Sequence, residues 1–261
     1  MRPHHQATIQ RMTEYVRQDP QFLALIVGGS IVKDLARDDS DVDVVLLATD
    51  AAYEDREARQ DLFYFDQSMC DYENGYVDGK VVNYAYLQDA AERGSEPTRW
   101  AFLKAFVAYS EVPDLQTLLD SIAVYPKDQQ AARMRAFYSQ VLMLNWFMGE
   151  AEKRNQRYLL LQSATDMVLF AGRLFLAYNE ILFPSHKWFM NSLAQVPNKP
   201  DDLLPLCDQL LDAPNKETAQ ALFDCVNDYR DWGIPFNEAL TQFTTDFERR
   251  WREGRSALRN C

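Results

Sequence analysis

The feature that most constrains this chain is the stretch from residue 22 to residue 48, in which two apolar runs enclose a glycine pair and several aspartates. The runs "FLALIV" and "VDVVLLA" are rich in aliphatic and β-branched residues, which predicts two strands. Between them Gly28-Gly29-Ser30 predicts a turn, and "IVKDLA" predicts one or two helical turns with Ser30 as the N-cap. The stretch therefore predicts a strand, a turn, a short helix and a second strand.

Two of the aspartates lie where the second strand begins. Side chains alternate along a strand, so Asp41 and Asp43 share one face while Val42 and Val44 point into a core. Two carboxylates this close repel each other unless a cation lies between them. Mg²⁺ suits such oxygen ligands, and it is usually bound by one or two carboxylates together with substrate phosphates.

The glycine turn adds a second half to this site. Glycine lets the backbone approach a ligand closely, and amides at the start of a helix attract phosphate. The two features together predict a triphosphate site, in which the turn holds phosphate and the carboxylates hold metal. The alternative is a solvated acidic loop whose glycines only turn the chain. We favour the site because both features occur in order, with a strand on each side.

The stretch "GGSIVKDLARDDSDVDVVLL" resembles the signature of the DNA polymerase β-type nucleotidyltransferase superfamily, in which Gly-Ser is followed by Asp-x-Asp at the start of an apolar strand. The resemblance implies that Gly29 and Ser30, with Gly28 beside them, bind the nucleotide's phosphates. It also implies that Asp41 and Asp43 are the catalytic carboxylates and hold two Mg²⁺ ions for nucleotidyl transfer.

The rest of the chain predicts two domains. Residues 50–61 read as a helix, "GYVDGKVVNYAYL" predicts a hairpin that turns at Asp78-Gly79, and "AFVAYS" predicts a last strand. From about residue 127 apolar residues recur at helical spacing, with the last two helices expected at 216–231 and 236–255. We expect an α+β chain, with a small mixed-sheet nucleotidyltransferase domain over residues 1–125 and an all-α helical bundle over residues 126–261.

This layout is similar to the antibiotic-modifying branch of the superfamily, such as the aminoglycoside and lincosamide nucleotidyltransferases, and to minimal nucleotidyltransferases that modify a protein partner. The likeness implies transfer of a nucleoside monophosphate, with ATP as the expected donor, to a hydroxyl of a small acceptor. In that branch a lysine of the helical domain often reaches the nucleotide. Lys187, just beyond Pro184, is the candidate, and an ordinary surface lysine is the alternative. Homodimers that share an active site are known in that branch.

A third carboxylate usually follows on a later strand of such proteins, as metal ligand or general base. Asn83 occupies the position where "KVVNYAY" would present it, and an amide cannot accept a proton as a general base. Either another acid acts, or the chain is a catalytically impaired nucleotide-binding or interaction protein. Asp78 is one candidate acid, although a turn residue is its simpler reading, and the helical half offers Glu150, Asp166 and Glu180.

The distribution of charge along the chain limits the classes of molecule that the protein is expected to bind. The net charge is −12, and residues 1–125 carry 11 Lys and Arg against 22 Asp and Glu, whereas residues 126–261 carry 16 against 17. An acidic first half repels a phosphate backbone, so we expect no nucleic-acid partner and favour a cationic small molecule, with a solubility role as the alternative.

Location is predicted from the cysteines and the apolar runs. Four widely spaced cysteines, at positions 70, 207, 225 and 261, indicate reduced thiols. No run approaches about 18 consecutive apolar residues, and the N-terminus has no apolar signal-peptide core. These observations predict a cytoplasmic protein without a membrane span.

Overall fold

The computed structural model describes residues 1–254, so the predicted helix end at residue 255 and the cysteine at position 261 lie outside the described residues. The chain divides into two compact units, Met1–Val124 and Tyr125–Cys261. The first unit is α+β and the second is helical. The fold class predicted from the sequence is therefore confirmed.

The first unit contains a five-stranded mixed sheet in the order β3-β4-β2-β1-β5. Strands β2 and β4 are parallel, and the pairs β1–β2, β1–β5 and β3–β4 are antiparallel. The elements of this unit are α1 Pro3–Gln18, β1 Phe22–Val27, α2 Gly29–Val32, β2 Val42–Ala48, α3 Asp50–Ala58, β3 Phe63–Asp66, β4 Val77–Val82, α4 Tyr84–Arg93, α5 Glu96–Ala101, β5 Phe106–Ser110 and α6 Leu115–Ile122.

Each face of the sheet has its own apolar cluster. On one face Val44 and Leu46 of β2 pack in a cluster with Met12 of α1. On the other face Leu47 of β2 packs in a cluster with Leu87 of α4. Alternation along β2 then puts Asp43 on the face that α4 covers further along the strand.

The predicted hairpin turn at Asp78-Gly79 is wrong. Both residues lie inside β4, which pairs in parallel with β2, and the hairpin is formed by β3 and β4 with residues 67–76 as its loop. Gly79 is needed for a close approach between strands, since a Cβ at this position would lie 1.9 Å from the carbonyl oxygen of Val44. The Asp-Gly pair resembles a turn signal, but the backbone stays extended.

The predicted N-cap at Ser30 is also wrong. Helix α2 begins at Gly29, and its N-cap is Gly28. Ser30 lies within the single helical turn, where its side chain makes no capping hydrogen bond. The Gly28-Gly29 pair alone makes the break between β1 and α2.

The second unit consists of helices joined by short connections. Helix α8 is long and apolar enough to cross a membrane by length and composition alone, but 72% of its apolar window is buried, the pattern of a core helix in a soluble protein. The predicted helix at 236–255 is α-helical only as far as Thr244. The elements are a 3₁₀ turn Lys127–Gln129, α7 Gln130–Lys153, α8 Arg157–Tyr178, α9 Phe189–Ala194, α10 Leu203–Asp212, α11 Lys216–Tyr229 and α12 Phe236–Thr244, followed by a π turn Thr245–Arg249 and a 3₁₀ turn Arg250–Glu253.

Candidate functional site

Three carboxylates form a cluster on the sheet of the first unit. Asp43 of β2 lies directly opposite Asp78 of the parallel strand β4, and Asp41 comes two residues before Asp43 on the same face. One ligand oxygen from each of the three can be chosen so that all lie within 4.8 Å of one another, and all three side chains are half-buried. The parallel pairing of β2 with β4 therefore creates a set of oxygen ligands of the kind that divalent cations prefer.

The glycine turn is packed directly against this cluster. The amide of Gly28 donates a hydrogen bond to the backbone oxygen of Asp43 at 3.0 Å, and the Ser30 amide points at Asp43 Oδ2 at 3.4 Å. Gly29 has a φ of +69°, and a Cβ on it would lie 1.6 Å from Asp43 Oδ2. Only glycine fits there, both because of its backbone conformation and because the carboxylate takes the space.

The hydroxyl of Ser30 is a buried polar atom without a hydrogen-bond partner among residues 1–254. Buried polar groups are normally hydrogen-bonded, and a bound water, ion or ligand is one explanation for an exception. This hydroxyl belongs to the turn that contacts Asp43. It fits the expectation that the turn receives an oxygen-rich group such as phosphate.

Lys33 lies beside the turn and was not predicted as a site residue from the sequence. Its side chain is 8% exposed, and its Nζ donates to the backbone oxygens of Gly29 and Ala101, each at 3.3 Å. The ammonium also lies 4.6 Å from the centroid of the Trp100 ring. Burial lowers the pKa of Lys33 to about 8, while the negative charge of Asp43 opposes that shift. The only signal in the sequence was a lysine inside a short apolar helix.

An aromatic pair flanks the carboxylates on the other side. The carboxylate of Asp41 interacts with the hydroxyl of Tyr76, and its negative charge, together with the hydrogen bond between them and partial burial, raises the pKa of Tyr76. The ring of Phe65 lies 5.4 Å from that of Tyr76, and Phe65 is directly opposite Asp78 in the β3–β4 pairing. Neither residue was predicted from the sequence, although alternation in "FYFD" could have placed Phe63 and Phe65 on one face.

The backbone that leads into Asp41 is fixed from outside the sheet. The carbonyl oxygen of Ser40 accepts a hydrogen bond from the Tyr72 hydroxyl at 2.8 Å and contacts His5 Nε2 at 3.1 Å. Burial lowers the pKa of His5, and the nearby His4 lowers it further. Helix α1 and the loop between β3 and β4 thus hold the residue before the first carboxylate.

Asn83 does not belong to the carboxylate cluster, so the expectation that it takes the place of a third carboxylate is wrong. Its side-chain oxygen accepts a hydrogen bond from the amide of Tyr86 at 3.0 Å and caps the N-terminus of α4. Asp78, five residues earlier, lies beside Asp43 instead. The reason for the error is that β4 ends at Val82, so Asn83 already belongs to the helix start.

Lys187 lies in the second unit, just before α9. Its side chain is exposed, and its ammonium is 5.5 Å from the centroid of the neighbouring Trp188 ring. Helix α9 begins two residues later, at Phe189. The role of Lys187 in nucleotide binding stays a prediction.

The other candidate acids of the helical half have structural contacts. Glu150 forms ion pairs with Lys153 and Arg154, and Asp166 accepts a hydrogen bond from Gln162. Glu180 forms an ion pair with Lys127. Their roles as general bases stay predictions.

Comparison with known proteins finds similarity in fold but not in sequence. The sequence matches no protein-family model and no curated protein. The fold, however, is similar to that of a nucleotidyltransferase-like protein from Exiguobacterium sibiricum 255-15, with a TM-score of 0.50 and 12% sequence identity over 94% of this chain and 81% of that one. This chain therefore has a nucleotidyltransferase-like fold with an acidic cluster suited to a metal ion.

Proposed function

We propose that this protein is a Mg²⁺-dependent nucleotidyltransferase that moves a nucleoside monophosphate from a nucleoside triphosphate, with ATP as the expected donor, to a hydroxyl of a small acceptor and releases pyrophosphate. The observation that carries the proposal is the position of Asp78. Its pairing with Asp43 completes a cluster of three carboxylates directly beside a glycine turn.

The donor set fits magnesium. Asp41, Asp43 and Asp78 offer only carboxylate oxygens, which a hard cation prefers, and their close spacing costs repulsion unless a cation is present. These three residues would hold the ions. When bound, carboxylate-held Mg²⁺ supplies charge stabilisation at the attacking and leaving oxygens of an in-line displacement.

The chain's own groups bind and orient the substrates. The turn from Gly28 to Ser30 binds the phosphates through the buried Ser30 hydroxyl, while the amides of Gly28 and Ser30 hold the turn against Asp43. Lys33 fixes the backbone of that turn through its hydrogen bond to Gly29. Asp78 accepts the proton of the acceptor hydroxyl, a role that a carboxylate can fill and the amide of Asn83 cannot.

The acceptor is proposed to be a small cationic molecule, such as an aminoglycoside-like antibiotic. The excess of acidic residues in the first 125 positions supports a cationic acceptor and disfavours nucleic acid. Transfer to a protein hydroxyl uses the same chemistry and is the second candidate. The impaired-enzyme alternative rested on Asn83, and the position of Asp78 beside Asp43 supports an active enzyme instead. Lys187 as a nucleotide ligand and a cytoplasmic location belong to the same proposal.

The test is release of pyrophosphate from each nucleoside triphosphate with Mg²⁺ and a panel of amino-sugar acceptors. Asp41→Asn and Asp43→Asn each remove a carboxylate from the cluster and are expected to reduce turnover by about 10²-fold or more. Asp39→Asn is the matched control, because Asp39 is exposed and paired with Arg37 in the same acidic run. Retained turnover in both cluster variants would refute the assignment.

A further inference from the structure

One face of the sheet carries a row of residues that crosses three strands. Asp43, Asp78 and Phe65 are direct cross-strand partners on β2, β4 and β3, so their side chains share a face. Tyr76 lies two residues before Asp78 on the same face and contacts both Phe65 and Asp41. We call Phe65 and Tyr76 the aromatic shelf.

Neither residue of the aromatic shelf belongs to the two apolar clusters that cover the faces of the sheet. Phe65 is 53% exposed on an edge strand, immediately beside a half-buried carboxylate. An exposed aromatic ring beside a carboxylate offers a large, rigid surface on which the ring of a ligand can pack. The rings of Phe65 and Tyr76 lie 5.4 Å apart, and Phe65 is directly opposite Asp78 in the sheet, so the two rings form one surface beside the carboxylates.

The strand order indicates on which side of the reacting phosphate the aromatic shelf lies. Across the sheet, the glycine turn lies at β1, the carboxylates at β2 and β4, and Phe65 at β3. An in-line displacement needs the attacking oxygen and the leaving pyrophosphate on opposite sides of the α-phosphorus. Because the turn is assigned to the phosphates, the attacking hydroxyl comes from the side of β4 and β3.

We propose that the aromatic shelf is the acceptor subsite, which binds a ring that carries the reacting hydroxyl by packing the flat face of that ring on Phe65 and Tyr76. This inference rests on the proposed function. The acceptor ring carries an amino group, because the electron-rich faces of the Phe65 and Tyr76 rings attract a cation. The subsite selects acceptors by ring shape, and water or an acyclic alcohol makes no use of it.

The transfer step balances without a further reactant. The acceptor oxygen forms a bond to the α-phosphorus while the bond from that phosphorus to the bridging oxygen of the β-phosphate breaks. Pyrophosphate leaves with the electron pair, and the hydroxyl proton passes to Asp78. The aromatic shelf takes no part in bond making, since it only positions the ring.

The experiment compares Phe65→Ala with Phe63→Ala in the full-length protein. Phe63 is the matched control because it lies on the same strand and face, is 64% exposed, and is opposite Lys80, further from the carboxylates. The probes are kanamycin A and tyramine, which carry rings, and sorbitol and serinol, which do not. Adduct mass reports transfer, and nucleoside monophosphate formed with water reports the basal reaction.

We expect Phe65→Ala to reduce kcat/KM for the ring probes by about tenfold or more, through KM, and by a larger factor than it reduces the water reaction. Phe63→Ala should behave as wild type, and Phe65→Trp should restore transfer. Three results would overturn the subsite. They are an equal loss in both alanine variants, equal use of the acyclic and ring probes, and no transfer to the ring probes by protein that still forms the nucleoside monophosphate. Absence of any magnesium-dependent nucleotide binding would refute the proposed function itself.

Discussion

Replacing Gly29 with alanine tests the packing of the turn against the carboxylate cluster. The substitution has two costs. A φ of +69° disfavours any residue with a Cβ by about 1–2 kcal/mol, and the new Cβ would lie 1.6 Å from Asp43 Oδ2. The carboxylate of Asp43 must therefore move, and it is one of the three proposed metal ligands.

Gly233 separates these two costs. It has a φ of +66°, but a Cβ on it would meet nothing within 4 Å among the described residues. Gly233→Ala therefore carries the backbone cost without displacing a neighbour. At about 2–4 °C per kcal/mol, both variants should lose a few degrees of melting temperature from the backbone term.

The assay is thermal unfolding with and without Mg²⁺ and each nucleoside triphosphate. A ligand that binds the folded state raises its stability by mass action. We expect wild type and Gly233→Ala to show the same nucleotide-dependent rise, and Gly29→Ala to show none. A full rise in Gly29→Ala would refute the argument that this glycine and Asp43 form one site.

Three further predictions follow from the same contacts. Asp78→Asn should abolish transfer with little change in stability, because it removes a carboxylate of the cluster. Asn83→Ala should retain transfer but lose about 1 kcal/mol of unfolding free energy, because it removes the N-cap of α4. Transfer assays and urea unfolding of both variants test this pair of predictions. The pKa of Lys33 is about 8 in the folded state, whereas its ordinary value is 10.5, so between these pH values the unfolded state binds the proton more strongly than the folded state does. The free energy of unfolding of wild type, relative to that of Lys33→Met, should therefore rise with pH in this range, by at most about 1.4 kcal/mol per pH unit. A flat difference in urea unfolding between pH 8 and 10.5 would contradict that burial. Cys207 is fully buried, and burial raises the pKa of its thiol to about 12. It should therefore resist a thiol reagent at pH 8 until the protein unfolds. Rapid labelling of the folded protein would contradict the burial of Cys207.

Local signals in the sequence were sufficient for the first half of the site. Strands β1 and β2, the turn at Gly29 and the shared face of Asp41 and Asp43 all follow from neighbouring residues. Spacing along a single strand places these residues without knowledge of the rest of the fold.

The missing half depends on contacts between residues far apart in the chain. Asp78 joins the cluster only because β4 pairs in parallel with β2, and no short-range pattern encodes that pairing. The Asp78-Gly79 dipeptide carries a strong turn signal, but Gly79 serves the close approach to Val44. The contact of Phe65 with Tyr76 depends on the same sheet order.

The most direct test of the central claim is calorimetric titration of a nucleoside triphosphate into wild type and Asp43→Asn, each with and without Mg²⁺. The account predicts binding by wild type that requires Mg²⁺, and at least a tenfold loss of affinity in Asp43→Asn, because one carboxylate of the cluster is gone. Equal affinity in the two proteins, or binding that ignores Mg²⁺, would contradict a metal-dependent triphosphate site at Asp41, Asp43 and Asp78.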